Sequence, residues 1–99
     1  MAQYHIEITE DAVEDIHYYA PFERKIIVSE ARTHLTYQPS VETKNRKRLR
    51  DNPLAAWEIR SGKYRIFYEV SEDSWIVSIV AVGHKEHNKL FIRGREVQI

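Results

Sequence analysis

The chain has 99 residues, no cysteine and a formal net charge of zero. This length fits one domain, and the lack of cysteine excludes a disulfide framework and a cysteine-ligated zinc site. No apolar run approaches the roughly 18 residues that a membrane span needs. The N-terminus has neither the basic nor the apolar segment of a signal peptide. We therefore expect one domain over residues 1–99, no contact with a membrane and a cytoplasmic location.

The neutral total conceals an uneven distribution of charge along the chain. Residues 1–30 carry a net charge of −5, residues 31–65 carry +6 and residues 66–99 carry −1. A cationic middle third in a neutral protein predicts a local site for an anionic partner. The alternative is that the fold interleaves these segments and the charges cancel on the surface.

The first 40 residues predict one strand followed by two helices. Apolar and polar residues alternate over Tyr4–Ile8, as in a half-buried strand. Thr9 is a suitable N-cap, and the acidic residues after it favour the positive end of a helix dipole. Apolar residues then recur at helical spacing. Pro21 ends the first helix and opens a second, which Pro39 ends.

The rest of the chain predicts a polar loop and a group of strands. Val41–Pro53 is polar and basic and is expected to be a loop. Three hairpin-linked strands follow, over Trp57–Arg60, Tyr64–Val70 and Trp75–Val82. Gly83 is expected to end the last of these, His84–Arg95 to form a polar tail, and Glu96–Ile99 to form a short final strand. The predicted fold class is α+β: an N-terminal strand and an antiparallel helix pair packed on a small antiparallel β-sheet, in the order β-α-α-β-β-β. The pairing of the first strand stays open.

A basic run lies inside the predicted loop. Five of the seven residues from 44 to 50 are basic: Lys44, Arg46, Lys47, Arg48 and Arg50. Such a run can neutralise phosphates and release their counterions, which favours contact with RNA or DNA. A solvated loop is the alternative.

Two arginines flank the tight turn between the second and third predicted strands. These are Arg60 and Arg65. Alternation along the third strand places Arg65 on the face opposite Tyr64. If Tyr64 and Ile66 face the helices, Arg65 stands on the open face, where its planar guanidinium can bind a phosphate. An ordinary ion pair with Glu58 or Glu69 is the alternative.

The segment after Gly83 gathers residues able to move protons. His84 and His87 can donate and accept protons near neutral pH, and Lys85 can stabilise charge on a phosphate undergoing attack. The His-x-x-His spacing also fits a metal, but zinc usually takes three protein ligands, so we expect no metal. A surface tail is the alternative. Phe91 either stacks on a base or anchors the tail to the sheet.

Two long stretches together resemble the RelE/ParE superfamily of toxins. One is LRDNPLAAWEIRSGKYRIFYEV, from Leu49 to Val70, and the other is VSIVAVGHKEHNKLF, from Val77 to Phe91. The specific features are Trp57–Arg60, the pair Tyr64-Arg65, and Val82–Lys85. This resemblance implies a RelE-like fold and the toxin half of a toxin–antitoxin pair.

The resemblance also implies a reaction. RelE-like members cut messenger RNA in the ribosomal A site with no metal or cofactor, by attack of a ribose 2′-hydroxyl on the neighbouring phosphate. By this likeness Arg65 would bind the scissile phosphate, Lys85 would stabilise charge, and His84 or His87 would act as acid or base. The basic run and Arg60 would hold RNA. The implied partners are a cognate antitoxin, in a hetero-oligomer, and the ribosome with its mRNA.

The chain departs from the RelE pattern at three positions. Ala56 and Glu58 stand nearest to the places where RelE-like enzymes often carry lysines, and Phe91 stands in place of a tail tyrosine. Two other functions therefore stay open. One is inhibition of DNA gyrase, as in ParE-like members, which needs no acid–base groups. The other is a catalytically weak member that mainly binds its antitoxin. In every case we expect a partly acidic antitoxin segment to cover the cationic residues.

Overall fold

The computed structural model describes residues 2–98 and forms two helices and seven strands in that range. The elements are β1 (His5–Ile8), α1 (Glu10–His17), α2 (Pro21–Leu35), β2 (Arg46–Arg48), β3 (Trp57–Ser61), β4 (Tyr64–Ser71), β5 (Ile76–Glu86), β6 (Lys89–Ile92) and β7 (Arg95–Val97). No helix among these residues is long and apolar enough to cross a membrane. The predicted α+β class, with two helices against a sheet, is confirmed.

Each helix begins where its sequence supplies a start signal. The Oγ1 atom of Thr9 accepts a hydrogen bond from the amide of Ala12 at 3.2 Å, which caps α1. Pro21 takes the first position of α2, where its missing amide hydrogen costs nothing, and the Glu23 carboxylate accepts from the amide of Ala20 at 3.2 Å. The helices bury a common set of small and aliphatic residues: Ala12, Ile16, Ile27, Ala31 and Leu35.

The sheet is organised around β5, the longest strand. The strand order is β2-β3-β4-β5-β6-β7, with antiparallel neighbours throughout. The other edge of β5 is shared: β1 runs parallel to its first half, from Ile76 to Ile79, and β6 pairs with its second half, from His84 to Glu86. The pairing of the first strand, which the sequence left open, is therefore parallel, and the rest of the sheet is antiparallel.

Three boundaries differ from the prediction. The expected loop contains β2, because β3 offers it a free edge and because the Arg46 guanidinium, directed inward, donates to the carbonyls of Val41 and His34. Strand β5 does not end at Gly83 but continues to Glu86. The expected polar tail forms the β6–β7 hairpin. The final strand is β7 at residues 95–97, and Ile99 of the predicted strand lies outside the described residues.

The two faces of the sheet are covered unequally. The main core fills the face toward the helices, where Tyr64 and Ile66 are buried. A smaller apolar cluster lies on the other face: Ala55, Phe67, Ala81 and Leu90. A β-bulge between β4 and β5 leaves Val80 without a partner, so Ile79 and Val82 both face the helices although three positions separate them. The strand after the bulge therefore points Lys85 away from the helices and His84 toward them.

Candidate nucleic-acid interface

One part of the face of the sheet away from the helices carries four basic side chains and one buried acid. Alternation along β2 to β5 places Lys47, Glu58, Arg60, Arg65 and Lys85 on this side. Lys47 is paired with Glu58, Arg60 with Arg65, and Arg65 in turn with Gly83, two positions before Lys85. We call the surface formed by these five residues the cationic face. Three separate stretches of sequence contribute to it.

Two arginines lie directly opposite each other at the centre of the cationic face. Arg60 on β3 is the cross-strand partner of Arg65 on β4. Like charges in directly opposed positions destabilise an antiparallel pair. The only carboxylate of the cationic face, that of Glu58, is taken by Arg60, whose Nε lies 2.6 Å from the Glu58 Oε1. This arrangement leaves the positive charge of Arg65 available to an external anion.

Arg65 is held by carbonyl groups of the turn and not by a carboxylate. Its Nη1 donates to the carbonyls of Gly62 and Tyr64, each at 2.8 Å. Its Nε is enclosed and has no hydrogen-bond partner among the described residues. Burial lowers the pKa of Arg65 from its usual value, and the neighbouring Glu58 opposes this effect. Arg65 thus carries its charge without a carboxylate partner among the described residues.

The alternative ion pairs for Arg65 are not formed within the described part of the chain. Glu58 pairs with Arg60, and the Glu69 carboxylate accepts from the amide of Ala56 at 3.1 Å. Lys85 is exposed. His87 is also exposed and sits at the tip of the β5–β6 turn, where it and Asn88 have positive φ angles of 51° and 65°.

His84 lies on the opposite side of the sheet from Arg65. It is buried against the helix layer, and its Nδ1 is 2.7 Å from the hydroxyl of Tyr19. Burial raises the pKa of Tyr19 far above its usual value, so the hydroxyl keeps its proton in its hydrogen bond with Nδ1. The other ring nitrogen, Nε2, is 3.5 Å from the Glu86 carboxylate. The ring of Phe91 stacks on His84 with centroids 5.7 Å apart, so Phe91 anchors β6.

The basic run is divided by the alternation of β2. Arg46 points inward, and its guanidinium donates to Val41 and His34 at 2.8 and 3.0 Å. Arg48 also points to the helix side, where its guanidinium carbon lies 5.6 Å from the centre of the Trp57 ring. Lys47 alone points to the cationic face from this strand. Lys44 and Arg50 are exposed in the flanking loops.

Two polar contacts beyond the predicted site hold this end of the molecule together. Asp15 on α1 is buried; its Oδ2 accepts from the amide of Val82 at 3.0 Å, and its Oδ1 is 2.8 Å from the Nε of Arg93. Val82 lies between the segments of β5 that pair with β1 and β6, so Asp15 satisfies an amide that neither strand reaches. Neither this contact nor that of Tyr19 has a local sequence signal. Within residues 2–98 no three potential metal ligands among His, Asp and Glu come together.

Comparison with known proteins agrees with this architecture. Residues 6–89 match the family described as the ParE toxin of type II toxin–antitoxin systems, parDE. The toxin–antitoxin complex RelBE2 of Mycobacterium tuberculosis contains a chain that is 27% identical, with a TM-score of 0.75, and the match covers 86% of this chain and 94% of that one. No curated protein sequence matches the chain.

Two further solved structures share the fold at lower identity. The isolated RelE toxin of E. coli is 23% identical with a TM-score of 0.67, and the match covers 85% of this chain and 86% of that one. A chain of an archaeal RelE–RelB complex from Pyrococcus horikoshii is 22% identical with a TM-score of 0.63, and the match covers 94% of this chain and 98% of that one. The family match spans most of the sequence, including every residue of the cationic face. The chain therefore belongs to the ParE toxin family of type II toxin–antitoxin systems, within the RelE/ParE superfamily.

Proposed function

We propose that this toxin cuts messenger RNA on the ribosome and that the cationic face binds the RNA backbone. The observation that carries the proposal is the cross-strand pair of Arg60 and Arg65. Two opposed arginines, of which only one has a carboxylate partner within residues 2–98, form an arrangement that an anion stabilises. A phosphodiester is an anion that two guanidinium groups can bind at once.

The proposed reaction is attack of the ribose 2′-hydroxyl on the adjacent phosphate, with departure of the 5′-oxygen. Arg65 and Arg60 would bind the non-bridging oxygens, on which negative charge increases in the transition state. Lys85, on the neighbouring strand, would neutralise charge on the leaving oxygen. Positioned cations of this kind typically account for about 10²- to 10³-fold in rate each. The 2′-hydroxyl is the substrate's own nucleophile, so no metal or cofactor enters the proposal.

The two histidines have different parts in this proposal. His84 is directed toward the helices and is occupied by Tyr19, so we assign it to holding the β5–β6 hairpin. His87 is exposed on the same hairpin and stays the candidate for proton transfer. The RNA contacts proposed from the basic run are Lys47 on the cationic face and Lys44 and Arg50 in the flanking loops; Arg48 is left out because it lies over Trp57 on the helix side. Arg46 is left out because it is buried, and Phe91 is left out because it is stacked on His84.

A cell-free translation assay with mapping of mRNA ends tests the proposal. The wild-type protein should produce cuts within translated codons, and Arg65→Ala and Lys85→Ala should each reduce cutting by about 10²-fold or more. Intact mRNA with the wild-type protein, under conditions where it is folded, would refute the nuclease function.

Inhibition of DNA gyrase is the second candidate. It is favoured by the separation of His84 from Arg65, because a toxin that only binds its target needs no acid–base group beside its cations. Gyrase-dependent DNA cleavage in the presence of the purified protein, together with intact mRNA in the translation assay, would establish this function instead.

An antitoxin is the partner that we propose for this chain. The relatives from M. tuberculosis and P. horikoshii were solved as toxin–antitoxin complexes. We propose that a partly acidic antitoxin segment covers the cationic face in a hetero-oligomer, because neutralising opposed arginines is favourable. A purified complex in which Lys47, Arg60 and Arg65 keep their solvent exposure would contradict this masking.

A further inference from the structure

Glu58 is an acidic residue at the centre of a surface that otherwise carries basic groups. Its side chain is only 4% exposed, and its cross-strand neighbours are Lys47 and Phe67. Phe67 belongs to the apolar cluster on this side of the sheet. A carboxylate in such a place loses most of its hydration, and that loss must be offset by specific contacts.

The ion pair with Arg60 does not account for Glu58 as a stabilising residue. The Arg60 side chain is 51% exposed, so water screens its attraction for the carboxylate. A pair in which one member is buried and the other is solvated recovers little more than the cost of dehydrating the buried charge. Glu58 therefore acts mainly through the conformation that it imposes on the Arg60 side chain.

The contact fixes one nitrogen of the guanidinium group and leaves the others free. Glu58 accepts from Nε of Arg60, and Arg60 makes no other side-chain hydrogen bond among residues 2–98. The edge formed by its two Nη atoms, with four N–H groups, thus remains available. Without this contact, repulsion from Arg65 across the strand pair would favour rotamers that carry Arg60 into solvent.

We propose that Glu58 is a positioning residue that holds the Arg60 guanidinium beside Arg65, so that the two arginines bind one phosphate together. Glu58 itself does not contact the RNA. The consequence for cleavage rests on the proposed nuclease function, whereas the consequence for phosphate binding does not. A different role would be a simple reduction of positive charge, in which case its removal should strengthen binding of every anion.

The test of phosphate binding follows the Nε–H signals of Arg60 and Arg65 by NMR during titration with pyrophosphate. In the wild-type protein both signals should shift with one common dissociation constant. In Glu58→Met, which keeps the length of the side chain and removes the acceptor for Arg60 Nε, the Arg60 signal should lose its response and pyrophosphate binding should weaken by about fivefold or more. Glu69→Met is the matched control, because it removes an exposed acid from the adjacent strand without touching Arg60; it should behave as wild type. Equal or tighter binding in Glu58→Met, with Arg60 still responding, would overturn the proposal.

The test of catalysis is a double-mutant cycle on the rate of mRNA cleavage at saturating toxin. Glu58→Met should lower the rate at least tenfold while affinity for RNA is unchanged or higher, because one negative charge has been removed. In the Arg60→Ala background the same substitution should change the rate less than twofold, since Glu58 acts through Arg60. An undiminished effect in that background would show that Glu58 acts by another route. Absence of cleavage by the wild type would refute the nuclease function and leave the pyrophosphate titration to decide the role of Glu58.

Discussion

Replacement of Gly83 by alanine should displace β6 from β5. A Cβ atom at this position would lie 2.5 Å from the carbonyl oxygen of Phe91, 2.9 Å from Cγ1 of Ile92 and 3.2 Å from Cδ1 of Leu90. The nearest of these atoms belongs to the backbone, so no change of rotamer relieves the contact. Moving that oxygen out to between 3.0 and 3.4 Å takes a shift of about 0.5 to 0.9 Å.

An overpacked site of this kind usually costs about 1–3 kcal/mol. In a domain of this size, 1 kcal/mol lowers the melting temperature by about 4–8 °C, so a cost near 2 kcal/mol predicts a fall of about 8–16 °C. The matched control is Gly62→Ala, where no atom of residues 2–98 beyond the two chain neighbours lies within 4 Å of the new Cβ and only the positive φ of 55° opposes the substitution. That conformation costs roughly 1 kcal/mol.

Thermal unfolding followed by circular dichroism compares the two variants directly. Gly83→Ala should melt below Gly62→Ala, and its amides in β6 should exchange faster with deuterium. If Gly83→Ala melted at or above the temperature of the control, β6 would not pass as close to β5 as the structure describes, and the reasoning would be refuted.

Three further predictions concern the helix layer and the basic run. Burial raises the pKa of Asp15, while Arg93 lowers it, so Arg93→Ala should raise that pKa further. A further rise in the pKa of Asp15 in the folded state destabilises the fold at every pH where this carboxyl is ionised in the unfolded chain. The variant should therefore lose about 1–2 kcal/mol of unfolding free energy near pH 7, and the loss should become smaller as the pH falls toward 4. Urea denaturation measures both values. Thr9→Ala removes the cap of α1 and should cost about 1 kcal/mol in the same assay, whereas an unchanged stability would discount the cap. Lys47→Gln should reduce the salt dependence of RNA binding by about one ion, and Arg48→Gln, on the other side of β2, should change it less. If the two variants changed the salt dependence of RNA binding equally, the face of β2 on which a basic residue lies would not matter for this binding.

Local sequence patterns were sufficient for most of the fold. The Thr9 cap, Pro21 at the start of α2 and the alternation along Tyr64–Val70 each correspond to an element of the structure, whereas α2 ends at Leu35, before Pro39. The β2 strand was not predictable from its own sequence, because it forms by pairing with the edge of β3 and by inward hydrogen bonds of Arg46. The parallel pairing of β1 with β5 joins residues about 70 positions apart, which no local pattern encodes.

The candidate site was predictable in part. Alternation alone placed Arg65 opposite Tyr64, and the structure has the two on opposite faces. The place of His84 depends on the bulge at Val80, which reverses the faces of all later residues in β5 and has no signature in a continuous apolar run. Glu58 pairs with Arg60 and not with Arg65. This choice depends on side-chain geometry within one strand, which the alternation of residues along the strand does not specify.

The most direct test of a function carried by the cationic face is the rate of mRNA cleavage in translating ribosomes for Arg65→Gln beside Arg48→Gln. Each substitution removes one positive charge, but Arg65 lies on the cationic face and Arg48 lies over Trp57 on the opposite side. We expect Arg65→Gln to lower the rate by about 10²-fold or more and Arg48→Gln to lower it by less than about threefold. Equal losses in the two variants would contradict the assignment of the activity to this face.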